Sequence, residues 1–230
     1  PYTGTVTLSD SATTNITATD ITDINSSTSG AITVSLAIDI NGSGSEVKAA
    51  FDAIDTNTGN ATAHITGTDY TIAQLKSINN DTTGAIVLAT PTATLSGEVA
   101  DIVAAFAGTV TTNTGAVTIS DANTTDIQAT DIATINTAIT GAITVTNTID
   151  INGSGADVAA AFTAIDTNTG NATANVTGTD YTVANLKTIN DATTGAIVLV
   201  DPSVNLSGDS TDIAAAFAGT VTTHTGSVTI

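Results

Sequence analysis

The residues best placed to do chemistry are Asp39, Asn41 and Ser43, spaced two apart and followed by Gly44. The same set recurs 111 residues later as Asp150, Asn152 and Ser154, followed by Gly155. Oxygen-bearing side chains at positions one, three and five, with glycine at six, match the first half of a calcium-binding EF-hand loop. Position twelve, where such a loop carries its bidentate Glu, is Ala50 or Ala161. The segment therefore reads two ways. It is a calcium ligand set, or it is a strand-to-helix turn in which Asn-Gly makes the bend and Ser43 or Ser154 caps the helix.

The histidines, His64 and His224, have Asn175 and Asn113 as their counterparts at the 111-residue offset. A catalytic or ligating imidazole would not interchange with an amide, so both are read as exposed polar residues. The chain has no cysteine, no nucleophile–base arrangement and no glycine-rich phosphate loop. The expectation is a protein that is not an enzyme and has no cofactor other than calcium.

What must position these residues is a repeat. Residues 4–114 align with 115–225 without a gap and share 75 identities in 111. Within that period a glycine preceded by Thr or Ser returns at Gly4, Gly30, Gly59, Gly84 and Gly115, then at Gly141, Gly170, Gly195 and Gly226. The spacing of 25 to 31 residues is that of a solenoid turn, which buries its apolar face only against its neighbours. Each turn opens with alternating residues, as in Ile32 and Val34, Ile86 and Leu88, or Val117 and Ile119, which is strand periodicity. Half the turns show a second extended piece, such as Ala37–Ile40 and Thr148–Ile151.

Spacings of three and four follow in Val47, Ala50, Phe51 and Ile54 and in Ile72, Leu75 and Ile78, which place one apolar stripe on a helix. The four phenylalanines, Phe51, Phe106, Phe162 and Phe217, share one position in that stripe. Ser43 with Glu46, and Ser154 with Asp157, have capping-box spacing. The glycine opening each turn suits a positive φ or a helix C-terminal cap.

The fold expected is an α/β solenoid: a right-handed stack of about eight strand-helix turns with a parallel sheet. Residues 1–230 form one continuous solenoid, with superrepeats 4–114 and 115–225 and the start of a further repeat at 226–230.

The formal charge is −19, with 22 acidic residues against Lys48, Lys76 and Lys187. That makes phosphate backbones and anionic membranes poor partners, and nucleic-acid binding is not expected. No stretch has the length of a membrane span, so membrane insertion is not expected. Absent Cys, Met and Trp, together with abundant Thr, Asn, Asp and Gly, point to an exported protein, extracellular or on the cell surface.

The segments Thr140–Val145, Ile189–Val198 and Asp212–Thr222 resemble the Thr/Asp/Ala/Gly-rich tandem repeats of very large surface or secreted proteins of Gram-negative bacteria, cyanobacteria in particular. The resemblance covers the whole chain and is one of repeat style. It implies a fibrous, adhesive or surface-coat role and carries over no site residue. The leading expectation is a structural segment of an extracellular filament, surface coat or matrix fibre, partnered by itself head to tail or by the next covalent repeat. The alternative is an adhesin or other binding solenoid, calcium-stabilised or presenting threonines to ice. Outward pairs that change between turns, Ala31 with Thr33 against Ala85 with Val87, weigh against ice.

Overall fold

A computed structural model describes all 230 residues. They form repeated strand-strand-helix units with parallel sheets, and no sheet closes. The chain divides into two compact units, each described separately. One comprises Pro1–Leu95, Ala100–Gly115 and Ala138–Thr140, and the other Ser96–Val99, Ala116–Thr137 and Gly141–Ile230.

In chain order the first elements are β1 (Val6–Leu8), β2 (Asn15–Thr17), α1 (Ala18–Ser27), β3 (Ile32–Val34), β4 (Asp39–Gly42) and α2 (Gly44–Asp52). They are followed by β5 (Thr56–Asn57), β6 (Thr62–Ile65), α3 (Ile72–Asp81), β7 (Ile86–Leu88), β8 (Leu95–Gly97) and α4 (Val99–Ala105). The pattern resumes with β9 (Val117–Ile119), β10 (Asp126–Gln128), α5 (Ala129–Ala138), β11 (Ile143–Val145), β12 (Asp150–Gly153) and α6 (Gly155–Ala164). It ends with β13 (Thr167–Asn168), β14 (Thr173–Val176), α7 (Val183–Ala192), β15 (Ile197–Leu199), β16 (Leu206–Ser207), α8 (Ser210–Ala216) and β17 (Val228–Thr229).

In the first unit the strands make two parallel sheets, ordered β1-β3-β5 and β2-β4-β6-β7. Their mates make β8-β9-β11-β13 and β10-β12-β14-β15, and β16 pairs with β17. Inward residues stack in register: Val6 on Ile32, Leu8 on Val34, and Ile40 on Ala63 on Ile86. The helices close the layer. Val47, Ala50 and Phe51 of α2 and Ile72, Leu75 and Ile78 of α3 are buried, as are their mates in α6 and α7. The Ser43–Glu46 capping box forms, and a second one, Thr71–Gln74, starts α3. Each cap satisfies donors that a helix start leaves free and is worth about 1 kcal/mol.

Several sequence expectations change. Two strands precede every helix, where the sequence showed a second extended piece in half the turns. Those missed, such as Asn15–Thr17 and Leu95–Gly97, are three residues long and show little alternation. Strands β6 and β7, which open their turns by glycine phase, pair with each other in the sheet of the second strands β2 and β4. Glycine phase and sheet membership therefore differ. Ala31/Thr33 and Ala85/Val87 lie in different sheets, and comparing them does not measure the regularity of a face. Within β1-β3-β5 the outward residues Thr7, Thr33 and Thr56 align, and within β9-β11-β13 Thr118, Thr144 and Thr167 do the same.

The turn-opening glycines are also needed for another reason than φ, because no glycine in the chain has positive φ. The left-handed backbone falls instead on Asn60 and Asn171, with φ 53 at both, and on Thr13 and Thr124. At Gly84 a β-carbon would fall far inside contact distance of the Asn60 and Ala61 carbonyl oxygens of the preceding turn, and Gly195 meets Asn171 and Ala172 in the same way. Buried threonines two residues earlier complete the junction. Thr82 Oγ1 donates to Ala61 O at 2.6 Å and accepts the Gly84 N–H at 3.0 Å, and Thr193 repeats this with Ala172 and Gly195. The Thr-Thr-Gly signature is thus a device for close backbone approach between turns.

Candidate functional site

In β4 the buried Ile40 faces the core, so Asp39 and Asn41 project from the opposite face of the sheet. The register sets Asn15 and Thr62 beside Asp39, and Thr17 and His64 beside Asn41. His64 Nδ1 lies 3.4 Å from Asp39 Oδ2, with both side chains partly buried. Asn41 donates Nδ2 to the Asp39 carbonyl at 3.1 Å. Ser43 is directed elsewhere: it is the N-cap of α2, and its hydroxyl accepts the Glu46 N–H at 3.3 Å. The three sequence-chosen residues are therefore split. Asp39 and Asn41 share a strand face, and Ser43 serves the helix.

The second copy behaves alike. Asp150 and Asn152 share a face of β12, opposite Thr173 and Asn175, and Ser154 caps α6 by accepting the Asp157 N–H at 3.1 Å. Here Asn152 Nδ2 also reaches Asp126 Oδ1 at 3.1 Å. No group of three or more His, Cys, Asp or Glu side chains is gathered in a way that could hold a metal.

The capping box has an electrostatic consequence. Hydrogen bonds from the Ser43 backbone N–H and then from its hydroxyl hold the Glu46 carboxyl below its ordinary pKa. A carboxyl depressed by folding contributes stability at neutral pH that is lost as the pH falls through its folded value.

Neither histidine is exposed, contrary to the sequence reading. His64 joins Asp39 as described, and His224 Nε2 lies 2.7 Å from the Val204 carbonyl with its ring 5.6 Å from that of Phe217. Asn113, the mate of His224, is a fully buried hub that sequence reasoning missed. It accepts from Tyr70 Oη at 3.1 Å and donates to Ala93 O at 3.2 Å and Gly115 O at 2.9 Å. Its signal was its place two residues before a turn-opening glycine, where Thr28, Thr82 and Thr193 also stand.

Much of the acidity is structural. Asp55 Oδ2 accepts the Ile32 N–H at 2.8 Å, Asp166 Oδ2 accepts the Ile143 N–H at 2.9 Å, and buried Asp121 accepts the Val99 N–H at 2.8 Å. Each carboxylate satisfies a backbone donor more than 20 residues away, and charge-assisted bonds of this kind are about twice as strong as neutral ones. All three lysines are paired, Lys48 with Asp52, Lys76 with Asp101 and Lys187 with Asp212.

One carboxylate is misplaced in this scheme. Partial desolvation of its surface side chain, followed by repulsion from Asp52, raises the pKa of Asp81, with Lys48 only partly opposing. Asp81 also ends α3, where the helix dipole is negative. Its mate is Ala192, and that of Asp52 is Thr163. A raised carboxyl opposes folding while ionised and stops doing so as the pH falls through its folded value. Asp81→Ala should therefore raise the unfolding midpoint at pH 7. The gain should vanish below about pH 3, where even an ordinary Asp is protonated. Denaturant titrations at the two pH values check this.

No helix is long and apolar enough to cross a membrane. Compared with known proteins, the chain matches no family model, no curated protein and no solved structure.

Proposed function

We propose that this chain is a right-handed α/β solenoid segment of about eight turns whose work is structural. It generates length in an extracellular filament, surface coat or matrix fibre. The observation that carries the reading is the pairing of β17 with β16, Leu206 opposite Val228 and Ser207 opposite Thr229. Strand β17 opens a further superrepeat, and it adds to β16 as β9 adds to β8 one period earlier. The start of a new superrepeat is thus joined to the preceding one by the same strand pairing at both places, the property required for open-ended stacking. The chemistry is consistent with this, since the polar groups described above are spent on joining one turn to the next.

Turns left uncovered expose strand edges and apolar core, which pair best with another turn of the same kind. Self-association head to tail follows, whether through the next covalent repeat or a second copy. The absence of Cys, Met and Trp favours a setting outside the cell. Sedimentation at rising concentration, with electron microscopy of the same samples, tests the proposal. End-to-end rods are expected, and a monomer at every concentration would reject self-association.

A binding solenoid is the second reading, and one observation favours it. The aligned columns Thr7-Thr33-Thr56 and Thr118-Thr144-Thr167 make a regular hydroxyl face on each unit.

A further inference from the structure

We infer that Asp39 and His64 form a binding site for a divalent first-row transition ion of the zinc type, completed by the Asn41 amide oxygen and water. This is independent of the structural role proposed above, and its ligand set differs from a calcium loop by taking in an imidazole and leaving out Ser43. Three observations converge on it. Asp39 Oδ1 is the one buried side-chain polar atom in the chain without a hydrogen-bond partner. An unpaired buried oxygen carries its full desolvation penalty, which an ion held by both oxygens of the Asp39 carboxylate would offset.

The second observation is a distance. The 3.4 Å between His64 Nδ1 and Asp39 Oδ2 is long for a hydrogen bond between these groups. Two donors at zinc bond lengths of about 2.1 Å from a tetrahedral centre lie about 3.4 Å apart, so the pair is already spaced as ligands of one ion.

The third observation is Asn41, which lies opposite His64 in the parallel ladder. Its Nδ2 donates to the Asp39 carbonyl, and its Oδ1 takes no hydrogen bond. One imidazole nitrogen, one carboxylate and one amide oxygen suit zinc, copper or nickel better than the all-oxygen shell that calcium prefers. The side chains of His64 and Asp39 are 33% and 21% exposed, so the site opens to solvent and leaves room for water ligands.

The internal repeat supplies the test. Asn175 is the mate of His64, and Asp150 and Asn152 are the mates of Asp39 and Asn41, so His64→Asn installs a residue the fold already accepts. Zinc titration calorimetry is carried out on the full chain at neutral pH, with magnesium in large excess to saturate diffuse attraction to the acidic surface. The wild type should bind one equivalent saturably. His64→Asn should lose that site, His224→Asn should keep it, and Asn175→His should add a second equivalent. No saturable zinc in the wild type, zinc binding retained in His64→Asn, or no second equivalent in Asn175→His would each overturn the inference. The 15N chemical shift of His64 Nδ1, moving on zinc addition, separates direct ligation from a remote effect.

Discussion

Gly84→Ala and Gly195→Ala should each destabilise the chain by about 3 kcal/mol, the upper end of what overpacking costs. A surface Gly→Ala change elsewhere would be neutral or mildly stabilising. The difference lies in what the added methyl meets. At both positions it is directed at main-chain carbonyls just before β6 or β14, and of these the Ala61 and Ala172 oxygens are already held by the buried Thr82 and Thr193 hydroxyls. Because φ is negative at these glycines, Ala has no backbone penalty there, and the loss reports the close approach alone. Equilibrium denaturation of the two variants checks this. A loss below about 1 kcal/mol would mean that the turns are further apart than described.

Phe51→Ala and Phe162→Ala should each cost about 3–5 kcal/mol, as for truncation of a fully buried aromatic. Both rings are 2% exposed and sit within their helices, α2 and α6. Phe106→Ala and Phe217→Ala should cost about 2 kcal/mol or less, in keeping with partial burial. Helix α4 ends at Ala105 and α8 at Ala216, so these two rings leave the stripe just past the last helical residue and are half-exposed. Thermal unfolding of the four variants reads the split directly, and equal losses at all four positions would contradict it.

These phenylalanines illustrate how far the sequence could be read. Spacings of three and four located the helices and their inward stripe, because Val47, Ala50 and Leu75 leave few other arrangements that bury them. They could not show that α4 and α8 are seven residues long, since helix ends depend on where the next turn draws the chain back. The second strands escaped for a related reason. Segments of two to four residues carry too little alternation to stand out, and their pairing is set by neighbouring turns. Register was the least legible feature. That β7 joins β6, and that β5 and β13 add Thr56 and Thr167 to the threonine columns, is decided by stacking and was invisible in the glycine phase. At the candidate site the capping role of Ser43 was legible from Glu46 three residues on. The meeting of Asp39 with His64 was not, because it joins residues 25 apart through the pairing of β4 with β6.

The central claim is that each superrepeat adds length and nothing else. Small-angle X-ray scattering should compare this chain with one lengthened by a further copy of residues 115–225. Four added turns at the parallel-strand spacing of about 4.8 Å predict a longest dimension greater by about 19 Å, with an unchanged cross-sectional radius. A cross-section that grows with the added residues, or a longest dimension that does not change, would contradict the stacked-turn account.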